Sequence, residues 1–301
     1  MTEMDLALRR RFFAEELEAV CRLRSLDLVD AFASVPREQF LGPGPWTVLG
    51  EGDALLSMAM WRAGGGAPTK TPTTPDADPA RVYHNIAVAI DAERQLFNGQ
   101  PGTIATWLDT LELKRGASVL HIGSGPGYYT AVIAHCVGPA GHVVAYEVDE
   151  SLAAQARRNL ASMPWIEVRD GDASQPIGDS FDAVIVHAGV THPLDVWLDA
   201  LRPDGRLILP LTTTMGSMAP TIGKGLLFLV TNTVDGLAAR VLSVIAIYSA
   251  VGVRDEAVGA RFTAAMTKMP LAWQGIRRLR RDPHDASTGC WLHTASFCLS
   301  S

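Results

Sequence analysis

Apolar positions change their rhythm twice along the chain. Between residues 3 and 24, charged residues of both signs surround Phe12, Phe13, Leu17, Val20 and Leu23, whose near-helical spacing predicts an amphipathic helix. A second short helix is predicted over 26–34. It ends before Pro36, because a residue ahead of proline is biased out of the helical region. The stretch "RAGGGAPTKTPTTPDADP" (62–79) is so rich in Gly, Pro and Thr that a mobile loop is expected over about 62–80.

From residue 102 the pattern alternates. A helix is predicted over Thr103–Leu113, closing at Gly116, followed by strands at "SVLHIG", "HVVAYEV", "IEVRDG", "FDAVIVHA" and "GRLILPL". Helical patterns fall between them at 128–137, 150–162 and 193–201. Strand and helix in alternation predict an α/β fold with a doubly wound, mostly parallel sheet. "GLLFLVTNT" and "ARVLSVIAIYS", parted by the turn "VDG", predict an antiparallel pair at the sheet's edge. A helix near 254–268 and a strand within "CWLHTASFCLSS" complete the reading. Three regions follow: 1–101 with helices and loop, 102–250 as the core, and 251–301 as a C-terminal extension.

Composition narrows the function classes. A hydrophobic content of 48% in 301 residues supplies a sizeable core. No apolar run reaches membrane-spanning length, and the N-terminus lacks a signal-peptide core, so a cytoplasmic protein without a membrane partner is expected. The net charge of −6 argues against nucleic acid, which wants a basic face; the basic run Arg277–Arg281 reads as a solvated strand or helix edge. Four dispersed cysteines fit a reducing compartment. Cys290, His293 and Cys298 match no common zinc spacing, so structural roles and no metal are expected.

The stretch "VLHIGSGPGYYTAVIA" (119–134) carries the chemistry. Gly123, Gly125 and Gly127 occupy the turn between the first core strand and its helix, where bare backbone admits a ligand and helix N–H groups favour an anionic end. The dinucleotide fingerprint wants Gly or Ala where this chain has Tyr128, and a phosphate-binding Gly-Lys-Ser/Thr loop is absent. Glu147 ends the second strand, where a carboxylate accepts both ribose hydroxyls; the competing reading is an ordinary exposed glutamate. Asp172, beside Gly171, is read either as an acceptor for an adenine amino group or as a turn former. An amino-acid end, a ribose and a base along three strand ends describe S-adenosylmethionine.

These residues resemble a class I S-adenosylmethionine-dependent methyltransferase, with its Rossmann-like sheet. More narrowly they resemble the protein-L-isoaspartate O-methyltransferase family. "VPREQF" (35–40), "VYHN" (82–85), "GQP" (99–101), the glycine stretch, "GDASQP", "FDAVIVHAG" and "HPLDVWLDALRPDGRLILPL" run in family order. The resemblance covers roughly 10–248, with 43–80 as an insertion. It implies a donor site formed by His121, Gly123, Ser124, Gly125, Gly127, Tyr128, Glu147, Val148, Gly171, Asp172 and Ala173. On the acceptor side it implies Asn85 and Gly99 as substrate-binding positions, with Asn98, Gln100, His187 and His192 as catalytic candidates. Asn98 and Gln100 are read alternatively as fixing a turn at Gly99, and each histidine as a packed strand-end or helix-entry residue.

Three departures stand out. His121 replaces an acidic residue that helps organise the ligand's ammonium end. Gly99 stands where the family carries a serine, and Phe97 where it carries a threonine. The last fifty or so residues go beyond the family's minimal body. The implied function is O-methylation of a carboxylate on a peptide, protein or small metabolite. Tailoring of a natural product or ribosomal peptide is the alternative, and a ligand-binding regulatory module without catalysis is a third. A homodimer is conceivable from the apolar tail.

Overall fold

The computed structural model describes residues 3–50, 71–214, 221–268, 271–287 and 289–301. Two compact units emerge. The first takes residues 1–115, 125–139 and 154–164; the second takes 116–124, 140–153 and 165–301.

In the first unit, helices α1 (Glu3–Cys21) and α2 (Leu26–Ser34) follow the predicted spans. Phe13 and Leu17 on α1, and Leu23 just beyond it, are buried, whereas Phe12 and Val20 are 60% and 70% exposed. Adjacent residues on a helix point about 100° apart, so Phe12 and Phe13 cannot both face the core. α2 begins where Ser25 Oγ accepts the Leu28 N–H, 3.2 Å away. The buried carboxylate of Asp109, on α3 (Pro101–Leu111), accepts the N–H groups of Arg24 and Ser25 and the Arg24 guanidinium. That pins the α1–α2 junction to α3.

A small antiparallel sheet, β1 (Val48–Leu49), β2 (Ala87–Asp91) and β3 (Leu96–Phe97), joins this unit. Part of the expected loop is tied to it. Thr73 bridges Thr47, Thr74 and Trp46 exchange hydrogen bonds, and Asp76 pairs with Arg81. Residues 62–70 of that loop lie outside the described residues. Phe13, Phe32, Phe40, Tyr83 and Tyr128 form an aromatic cluster with ring centroids 5.6–6.4 Å apart, Tyr128 heading α4 (Tyr128–Val137).

The second unit is built on a ten-stranded sheet. Its strands are β4 (Ser118–Ile122), β5 (His142–Glu147), β6 (Ile166–Asp170), β7 (Phe181–Val186), β8 (Leu201–Thr214), β9 (Ile222–Thr233), β10 (Gly236–Tyr248), β11 (Arg278–Arg280), β12 (Cys290–His293) and β13 (Cys298–Ser300). The order is β12-β13-β11-β10-β9-β8-β7-β4-β5-β6. Strands β6-β5-β4-β7-β8 pair in parallel. β4 is buried throughout and β7 almost so, as expected of strands covered on both faces. Neighbours β5 and β7 flank β4, so the strand order reverses there. In doubly wound sheets, ligands bind beyond the strand ends at such a reversal.

The β9–β10 hairpin is antiparallel, as expected, and the antiparallel region continues through β11, β13 and β12. Helices α5 (Glu150–Asn159), α6 (Asp195–Asp199) and α7 (Glu256–Lys268) complete the chain. α6 is shorter than the predicted 193–201, because Leu201 already pairs with Phe181 as the first residue of β8. On α7, Phe262 meets Trp291 edge-on at 5.8 Å and anchors the C-terminal residues. Among the described residues no helix is long and apolar enough to cross a membrane.

Candidate functional site

The reversal point is shaped by backbone. Beyond β4, the N–H groups of Gly123 and Ser124 both donate to the Tyr146 carbonyl, at 2.8 and 3.0 Å. Gly123, Gly125 and Gly127 have φ of +81°, +55° and +97°, a region L side chains rarely occupy. A Cβ on Gly127 would also meet Leu160 at 2.9 Å. The glycine spacing therefore serves a turn that other residues cannot make. Ser124 Oγ is buried without a hydrogen-bond partner.

Glu147 closes β5 and is 6% exposed, which removes the reading of an ordinary surface glutamate. Its Oε1 accepts the Asp149 N–H at 3.0 Å, and its carbonyl accepts the Gly171 N–H. Val148 beside it is 46% exposed. Asp172 Oδ1 accepts the Ser174 N–H at 3.0 Å, the turn-forming role anticipated as one alternative. Its other oxygen lies against Gly252, where a Cβ would come within 2.7 Å. Ala173 has φ +55°, and its carbonyl accepts the Trp197 indole N–H at 2.8 Å, which holds this turn to α6. At Gly171, with φ +117°, the space a Cβ would enter is open.

His121 is fully buried on β4 and stacks on His187, just past β7; Nε2 of the first is 3.4 Å from Nδ1 of the second. Burial, reinforced by His187, pushes the His121 pKa well below the ordinary imidazole value. Burial alone brings His187 to about 4. Both rings are neutral at physiological pH. His192 is half-buried, and burial lowers its pKa as well. Thr191 Oγ1 accepts the Asp255 N–H and lies within hydrogen-bond distance of His192 Nδ1, 2.9 Å away.

In the first unit, Asn85, Asn98, Gly99 and Gln100 gather around the start of α3. Asn85 Oδ1 accepts the Gly102 N–H at 2.8 Å and caps the helix. Asn98 Oδ1 accepts from the Val88 N–H and from Arg37, while its Nδ2 is buried without a partner. Gln100, directly before Pro101, has a buried Nε2 that likewise has none. Gly99 has φ +78°, and its carbonyl accepts the Tyr129 hydroxyl. The Tyr128 ring is committed to the aromatic cluster, with the Arg37 guanidinium 5.8 Å from its centre.

Two arginines went unnoticed in the sequence. Arg37 is fully buried and donates to the carbonyls of Val82, His84 and Ile86 as well as to Asn98. Arg254 donates to the Gly189 carbonyl and to Thr212, past the ends of β7 and within β8. Partners that are mostly backbone carbonyls leave no pattern to read.

Known proteins supply the context for this geometry. The family model described as protein-L-isoaspartate(D-aspartate) O-methyltransferase matches residues 73–225, just over half of the chain. A protein-L-isoaspartate O-methyltransferase of Vibrio vulnificus is 31% identical over 199 residues, covering 65% of this chain and 77% of that one. The chain belongs to this family. A relative from Ignicoccus hospitalis with the same description is 31% identical over 139 residues, 45% of this chain and 65% of its own length, just under two thirds. A structure from Plasmodium falciparum described under the same family name, in complex with S-adenosyl-L-homocysteine, is 18% identical with a TM-score of 0.57. It covers 80% of this chain and 97% of that one, a likeness of fold.

Proposed function

We propose that this protein is an S-adenosylmethionine-dependent methyltransferase acting on a carboxylate of a peptide, protein or small metabolite. The observation that carries the reading is the coincidence, in the second unit, of the bare start of the family's glycine turn, Gly123 and Ser124, with a buried acid, Glu147, on the adjoining strand end. The residues fit the cofactor. Glu147 offers a carboxylate for the ribose, and the bare turn at Gly123 with the partnerless Ser124 hydroxyl suits a polar amino-acid end. Asp172, Gly171, Ala173 and Val148 border the base. When bound, S-adenosylmethionine supplies a methyl group already activated on a sulfonium.

The chain's own work is to position the acceptor and exclude water. An acceptor carboxylate is ionised at neutral pH and needs no base. That matches His187, whose pKa of about 4 is poorly suited to taking a proton from a hydroxyl or amine. In the first unit, Asn98 Nδ2 and Gln100 Nε2 are buried amide donors without a partner, the kind of group from which a carboxylate accepts. His121 supplies no charge and acts by holding His187. Cys21, Cys136, Cys290 and Cys298, none of them in a disulfide, suit a reducing, cytoplasmic setting.

One observation favours a tailoring enzyme over general repair of isoaspartyl residues. Gly99 stands in the left-handed region at the position where the resemblance places a serine, so both the hydroxyl and room for a strain-free side chain are missing. Calorimetric titration with S-adenosylmethionine and S-adenosylhomocysteine tests the donor site; no binding of either overturns the proposal. Transfer of labelled methyl to isoaspartyl peptides, as a base-labile ester, tests the acceptor. Turnover on them as good as on any other acceptor removes the preference for tailoring. Donor binding with no turnover on any carboxylate leaves a binding module.

A further inference from the structure

Four metal-ligating side chains converge in the C-terminal part of the second unit. Cys290, His293 and Cys298 sit on the β12–β13 hairpin, and His284 comes from the segment leading into it. One ligand atom from each lies within 4.8 Å of all the others. His284 Nε2 is 3.7 Å from Cys290 Sγ. In a tetrahedral site with zinc–sulfur bonds of ~2.3 Å and zinc–nitrogen bonds of ~2.0 Å, the nitrogen–sulfur edge is ~3.5 Å.

The backbone explains how such a set assembles from an irregular spacing. His293 and Cys298 face each other across the hairpin in register. Cys290 and His293 are three residues apart, and on a regular strand they would point to opposite faces. A register shift between Cys290 and Leu292 adds the odd residue and re-aims Cys290 toward the same cluster. His284 stands outside both strands, which is why the cysteine spacing alone gave no zinc pattern.

The surroundings are those of ligands held for an ion. His284 Nδ1 lies 2.8 Å from the Asp282 carbonyl, which can only accept. The ring proton is therefore on Nδ1, and the Nε2 lone pair is left toward Cys290, the usual carbonyl–histidine support of a metal ligand. The Ser287 N–H donates to Cys290 Sγ at 3.4 Å. His293 Nδ1 is buried without a hydrogen-bond partner, and its ring stands edge-on to His284 at 4.8 Å. The nearby Asp282 carboxylate is held by Arg280. Two sulfurs and two imidazoles, with no carboxylate among them, select zinc over calcium or magnesium.

The geometry points to a structural zinc site formed by His284, Cys290, His293 and Cys298. Four protein ligands close the coordination shell, so the ion joins the hairpin to the 284–287 segment and takes no part in transfer chemistry. Two thiolates balance the charge of the ion. A Cys290–Cys298 disulfide is the competing arrangement; it leaves both imidazoles without a purpose, and both thiols are free. This inference stands apart from the methyltransferase reading.

The test uses the full chain, expressed with added zinc and purified under reductant without chelator. Elemental analysis is expected to find about one zinc per chain. Stripped protein reloaded with cobalt(II) is expected to show the strong visible bands of a tetrahedral site and a thiolate-to-cobalt charge-transfer band. Cys290→Ser with Cys298→Ser abolishes both signals, and His284→Ala weakens zinc affinity at least about tenfold. Wild-type protein that binds neither metal, a disulfide persisting under reductant, or zinc retained in the double variant overturns the site. Should a variant fail to fold, the wild-type zinc content and cobalt spectrum decide alone.

Discussion

Two neighbouring imidazoles in the second unit make this molecule sensitive to acid. Burial depresses the pKa of His121 and His187, the latter to about 4. The unfolded chain, with ordinary histidines, takes up protons before the folded one does. Stability is therefore complete above about 6.5 and falls as the pH drops toward 4. Urea titrations across that window are expected to show a steep acid slope in the wild type and a shallower one in His121→Asn/His187→Asn. An undiminished slope contradicts this account. Glu147→Ala is expected to weaken S-adenosylmethionine binding by about 1–3 kcal/mol, because a buried ribose loses its acceptor. An unchanged dissociation constant places the ribose elsewhere. The glycine turn, the strand-end place of Glu147 and the turn at Asp172 were legible because each reports on its own stretch of chain. The role of His121 was not, since it depends on His187, a residue 66 positions away that only the pairing of β4 with β7 brings near.

The joints between elements rest on few polar groups. Asp109 collects two backbone N–H groups and a guanidinium at the α1–α2 junction. Asp109→Ala is expected to cost about 2 kcal/mol, because one change orphans three part-buried donors, against about 1 kcal/mol for the α2 cap variant Ser25→Ala. Thermal denaturation of both variants checks the order; a milder Asp109 variant reverses the argument. Longer elements were readable from apolar period, as the β4–β8 and β9–β10 runs show. The β1–β3 sheet escaped because two of its three strands, β1 and β3, have only two residues and carry no period. The end of α6 was misplaced because the pattern cannot tell a last helical turn from a first strand residue at Leu201. The β12 bulge hid a convergence that alternation alone would forbid.

At the scale of the molecule, cofactor binding should appear as stability. S-adenosylhomocysteine at about 100 times its dissociation constant is expected to add about 2.7 kcal/mol and raise the melting temperature by several degrees. An unmoved transition counts against the donor site. The division into units also bears on how such proteins diversify. The first unit is assembled from three separate stretches of chain, interleaved with the second. No single crossover between two related genes can hand over either unit whole. A chimaera made by exchanging one contiguous half therefore takes parts of both units from each parent.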